Sequence, residues 1–74
     1  MNIDMRMYVI NNLKEDSKED IQKSIEESII SQDEETLIGL GVLFELVWKK
    51  ANNEEKEKML DNIKKSMAIV ETKA

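Results

Sequence analysis

The sequence has no cysteine, no histidine and no proline. Without cysteine there is no disulfide and no thiolate metal site, and without histidine the commonest zinc ligand and the commonest general base are both missing. Stability must come from packing, and the composition suits a reducing compartment. Glycine is nearly absent as well, with only Gly39 and Gly41, and the aromatic residues are single copies of Tyr8, Phe44 and Trp48. The longest nearly uncharged run, Thr36 to Leu46 with Glu45 inside it, is far shorter than the roughly 20 apolar residues of a membrane span. The opening MNIDMRMYVINN has no cationic stretch leading into a long apolar one and no small-residue cleavage site, so the protein is read as intracellular, without a membrane segment.

What is present is charge and helix-forming residues. In 74 residues, 16 acidic side chains against 11 basic ones give a net charge of −5. That field repels phosphate and makes nucleic acid an unfavourable partner. A chain this short buries only about 60 to 65% of its unfolded surface and forms one domain. Glu, Lys, Ile, Leu and Met without proline indicate an all-α class. The expected architecture is a small single-domain bundle of three to four helices, residues 4–13, 18–30, 34–50 and 53–70, spanning 1–74 with a frayed tail over 71–74.

The first helix is the least regular. Ile3, Met5, Met7 and Val9 alternate with polar residues as a strand would. A lone strand would have nothing to pair with, and Ile3, Met7, Ile10 and Leu13 share a helical face, so residues 4–13 are assigned as helix. The second helix follows Ser17, a capping hydroxyl with Asp20 three residues on, and carries one narrow stripe of Ile21, Ile25 and Ile29. The fourth starts at Asn52 or Asn53 with Glu54 and Glu55 in its first turn, and Met59, Leu60, Ile63, Met67 and Val70 form its apolar stripe.

The third helix differs in kind. At 100° per residue, Leu37, Leu40, Leu43, Phe44, Val47 and Trp48 cover one broad face, assigned to the core, while Ile38, Val42 and Leu46 occupy much of the other. Only Glu45 interrupts Leu37 to Trp48. Each large side chain fully buried contributes about 1.5 to 3 kcal/mol, so this helix carries most of the hydrophobic stabilisation. The Ile38, Val42, Leu46 face has two explanations: a neighbouring helix of the same chain, or an interface with a second copy or another protein.

No motif suggests chemistry. The acidic pairs Glu19-Asp20, Glu26-Glu27 and Glu54-Glu55 and the triplet Asp33-Glu34-Glu35 lack the alternating oxygen ligands and turn glycine of a calcium loop, and they suit helix starts and solvated faces. Lys49-Lys50 suits a helix end, and neither it nor Lys64-Lys65 has interleaved aromatics for stacking on bases. Gly39-Leu40-Gly41 lacks the third glycine and preceding strand of a dinucleotide loop. Each helical glycine costs about 1 kcal/mol against alanine, so the pair either admits a close neighbour or marks an irregular first turn. No catalytic, cofactor-binding or metal-binding residue is assigned.

The string Leu37-Ile38-Gly39-Leu40-Gly41-Val42-Leu43-Phe44-Glu45-Leu46-Val47-Trp48-Lys49 resembles the signature of the small acid-soluble spore protein I family of endospore-forming bacteria. The likeness runs without gaps through Asn2 and Arg6, through Ile21, Ile25 and Ile29, and through Glu55, Lys56, Met59 and Leu60. Two positions depart from the family pattern. Ile38 stands where the family has proline, which sets the start of the third helix, and Gln32 stands where glycine is usual. The resemblance implies a minor protein made in the developing forespore during sporulation and held in the spore core, without enzymatic activity, cofactor or known ligand residues. It does not imply the DNA coating of the major α/β-type proteins of similar name. The expected function is structural or interactive, with an adaptor or self-associating module using Ile38, Val42 and Leu46 as the alternative, and nucleoid association as the weakest reading. Expected partners are a second copy or another spore protein.

Overall fold

The computed structural model describes residues 4–69. Four helices follow one another, α1 Met5–Leu13, α2 Lys18–Ser31, α3 Glu34–Lys50 and α4 Asn53–Ile69, with no strand among the described residues. The domain is all-α. The expected tail 71–74, with Ile3 and Val70, lies outside the described residues.

The joints are set by side chains that satisfy the free amides of each helix start. Asp4 accepts from the Arg6 and Met7 amides at 3.1 and 3.4 Å, which closes the first turn of α1 despite its alternating pattern. Ser17 Oγ accepts from the Asp20 amide at 3.1 Å. Asn52 caps α4 in a reciprocal box: its Oδ1 accepts from the Glu55 amide at 2.8 Å, while Glu55 Oε1 accepts from the Asn52 amide at 2.9 Å. At α3 the cap residue Asp33 makes no side-chain cap bond. There Thr36 Oγ1 donates to the Asp33 carbonyl at 2.7 Å and Ser31 Oγ accepts from the Asp33 amide at 3.2 Å. The α2–α3 corner is thus held by hydroxyls, and α3 begins at Glu34.

That corner requires an unusual backbone. Gln32, the cap of α2, has φ 59° and ψ 19°, the one positive φ at a non-glycine residue among those described.

α1 and α2 both pack against α3. The inward stripe of α1 is Met5, Val9 and Leu13, four residues apart, with Val9 buried; Met7, expected on the inner face, points to solvent. On α2, Ile21, Ser24, Ile25 and Ser28 are half-buried, and Ile29 is exposed instead of completing the expected stripe. A helix meets a neighbour along i, i+3, i+4 and i+7, and two small serines there let α2 approach closely.

α4 leaves α3 after Ala51 and makes no extensive contact with another helix among the described residues. The fold is consequently open. Its accessible surface is 6765 Å², against about 4,700 Å² for a compact monomer of this mass. The radius of gyration is 14.2 Å, against about 11 Å for a compact chain of this length.

Candidate interaction surface

Both glycines lie inside α3, and neither has a positive φ, so the irregular-turn explanation falls away. A Cβ on Gly39 would stand 4.0 Å from Val9 Cγ2, at the crossing of α1 over α3. That is an ordinary van der Waals distance, so Gly39 lies at the crossing without the crossing requiring a glycine there. A Cβ on Gly41 would meet nothing within 4 Å.

The side of α3 that α1 covers includes Val42, which is 8% exposed. It also includes Glu45, the single charge in the apolar run. Arg6 of α1 reaches it through both guanidinium arms: Nε donates to Oε1, and Nη2 donates to Oε2 at 2.9 Å. The pair is bidentate and wet, with Arg6 63% and Glu45 32% exposed. Arg6's hydrogen bond holds the Glu45 carboxyl below the usual carboxylate range, and the same bond raises the Arg6 guanidinium. This is the long-range polar contact that sequence reasoning missed. The signal was available: one acid inside an apolar stretch, and one arginine as the sole charge of the first helix.

The two expected faces of α3 are redistributed. In the set assigned to the core, Leu40, Leu43 and Trp48 are half-buried, whereas Leu37 is 59%, Phe44 45% and Val47 54% exposed. In the candidate interface set, Ile38 and Leu46 are exposed but Val42 is buried, so Val42 is not an open docking residue. The reason is geometric: Gly39 and Val42 present the low relief on which α1 sits, and Glu45 on the same side binds Arg6.

What remains open is a seam. Leu37, Gly41, Phe44 and Trp48 follow one another at four, three and four residues, the spacing of a helix–helix seam. α4 repeats that spacing with Lys56, Leu60, Ile63 and Met67. The two seams meet near the α3–α4 turn. Lys56 Nζ lies 5.2 Å from the centre of the Trp48 ring, a cation–π contact, and Phe44 stacks on Trp48 at 5.9 Å between centroids with a 33° tilt. Beyond it Phe44, Glu45, Trp48, Leu60 and Ile63 line an open cleft. Leu60, Ile63 and Met67 are all exposed.

Among the described residues no group of three or more acidic side chains is placed to hold a metal ion. No helix among the described residues is long and apolar enough to cross a membrane.

Known proteins place this arrangement in context. The family described as "Small, acid-soluble spore protein I" matches residues 3–67. A protein of that name from Bacillus cereus is 37% identical over 67 residues, covering 90% of this chain and 97% of the relative. One from Bacillus mycoides is 37% identical, and one from Bacillus anthracis 36%, each over the same extents. No solved structure matches the chain.

Proposed function

The chain belongs to the small, acid-soluble spore protein I family, and from that premise we propose that it is a non-enzymatic protein of the spore core that works by binding protein through apolar helix surface. The observation that carries this reading is the open seam: Leu37 and Phe44 on α3, with Leu60, Ile63 and Met67 on α4, face solvent. Contiguous apolar area of this kind on a soluble protein marks an interaction surface. The charge adds to the case. A chain of net −5 does not concentrate on phosphate backbones. The docking residues are those of the α3–α4 angle, with Ile38, which lies beside α1, and the buried Val42 excluded.

The reading is tested in sporulating cells by a fluorescent fusion together with crosslinking. Signal confined to the forespore, and crosslinked species that disappear in Phe44→Asp, are expected. Signal in the mother cell, or an identical crosslinking pattern in Phe44→Asp, overturns it.

A further inference from the structure

We propose that the open seam is closed by a second copy of the chain, in a two-fold dimer whose α3 helices run antiparallel with the crossing near Gly41, and whose α4 helices close over the pair. The proposal names the occupant of the docking surface above and so rests on that reading.

Three independent observations converge on a second copy. The first is area. The chain exposes 6765 Å², about 2,000 Å² more than a compact monomer of its mass. A standard specific interface removes about 800 Å² from each partner, so the excess is more than a stable dimer needs. Nine of the thirteen exposed large hydrophobics among the described residues lie on α3 and α4, the two helices that carry the same seam spacing. Two such helices form half of a four-helix bundle, and a two-fold mate supplies the other half.

The second is Gly41. A glycine in the middle of a 17-residue helix costs about 1 kcal/mol relative to alanine. Among the described residues a Cβ on Gly41 would meet nothing within 4 Å, and Gly41 shares an open cleft with Met5 and Arg6 of α1. In the antiparallel pair the crossing falls between Gly41 and Phe44, so the Phe44 ring of each copy lies over Gly41 of the other. A backbone without Cβ leaves room for that ring.

The third is charge. α3 begins with Glu34 and Glu35 and ends with Lys49 and Lys50. An antiparallel pair about its middle places the acidic end of each helix beside the basic end of the other, while a parallel pair would set like charges together. At physiological salt a screening length of roughly 8 Å weakens the diffuse repulsion of two chains of net charge −5.

The test is sedimentation of the purified full chain from micromolar to near-millimolar concentration. A shift from one to two chain masses is expected. Phe44→Asp should weaken association by about thirtyfold or more, as loss of a central aromatic anchor does. Gly41→Ala guards against misfolding as an explanation: it should raise the thermal midpoint of the dilute monomer yet weaken association about tenfold. The antiparallel arrangement is tested by Glu34→Lys/Glu35→Lys and by Lys49→Glu/Lys50→Glu, each weak alone and restored when the two are mixed. A monomer at every concentration overturns the proposal, as does a larger closed ring, association that Phe44→Asp and Gly41→Ala leave unchanged, or mixing without rescue. If the wild type is monomeric while Phe44-dependent crosslinks persist in spores, the dimer fails and the docking function stands. If the dimer forms and no Phe44-dependent crosslink appears in spores, the function fails.

Discussion

Replacing Gln32 with glycine should stabilise the protein, and the size of the gain can be worked from its backbone. Gln32 sits at φ 59°, ψ 19°, where Cβ crowds the following carbonyl oxygen. An L-residue with a side chain is penalised there by roughly 1–2 kcal/mol. Nothing in the side chain offsets this, since Gln32 makes no side-chain hydrogen bond among the described residues, and its amide bond to the Ser28 carbonyl at 3.4 Å belongs to the backbone. Glycine removes the penalty but gives the unfolded chain more freedom, which returns roughly 0.4–1 kcal/mol. The net gain is about 0.5–1 kcal/mol, or a rise of a few degrees in midpoint for a domain this small.

Helix content followed by circular dichroism through a thermal or urea transition measures the gain, at low protein concentration so that association does not mask it. The comparison set is Gln32→Gly, Gln32→Asn and Gln32→Val, because asparagine tolerates this region and a β-branched side chain does not. The expected order of stability is glycine, asparagine, the native glutamine, then valine. If glycine is no more stable than glutamine, the α2–α3 corner does not hold residue 32 in the left-handed conformation, and the account of that corner is wrong.

Other consequences follow from single contacts. Asn52→Ala removes the reciprocal cap of α4 and should cost about 1 kcal/mol, read as a lower urea midpoint. Because Arg6 depresses the Glu45 carboxyl, its folded-state pKa lies below the unfolded one. The stability this contributes is present above the unfolded carboxylate range and is lost as pH falls through the folded value; Glu45→Gln should abolish that part of the acid dependence in melts. Val42→Asp buries an unpaired charge beside α1 and should unfold the domain, whereas Phe44→Asp should keep its helical spectrum. A DNA mobility assay at low salt should show no retarded species for a chain of net charge −5, and retardation that weakens with added salt would restore the nucleoid reading.

Much of the fold was legible in the chain because local rules agree with each other. Ser17 with Asp20, and Asn52 with Glu55, are cap pairs at the spacing the helix start demands, and both form. The strand-like alternation in α1 misleads only if local pattern is taken alone; Asp4 closes the first turn and the described residues hold no strand to pair with. Asp33 shows the limit of reading caps residue by residue. Its type suits the cap, but Thr36 and Ser31 bond its backbone and its side chain makes no cap bond. The inner stripes of α1 and α2 were misjudged because Ser24 and Ser28 face inward while Met7 and Ile29 do not. Close helix approach favours small residues at a contact, and hydrophobicity alone gives them no weight.

The faces of α3 were not legible, for a physical reason. Periodicity locates a buried side by contrast with a polar one, and a helix apolar on nearly all sides offers no contrast. The remaining signals are the exceptions to apolarity. Glu45 marks the side that α1 covers, where it binds Arg6, and Gly39 lies at the crossing within van der Waals reach of Val9. Gly41 has no such neighbour among the described residues. Two helices of nine and fourteen residues cover one side of a seventeen-residue helix, while the fourth turns away after its first turns. Among the described residues no further helix covers Leu37, Gly41 and Phe44, and the second copy proposed above would supply that surface with the matching seam.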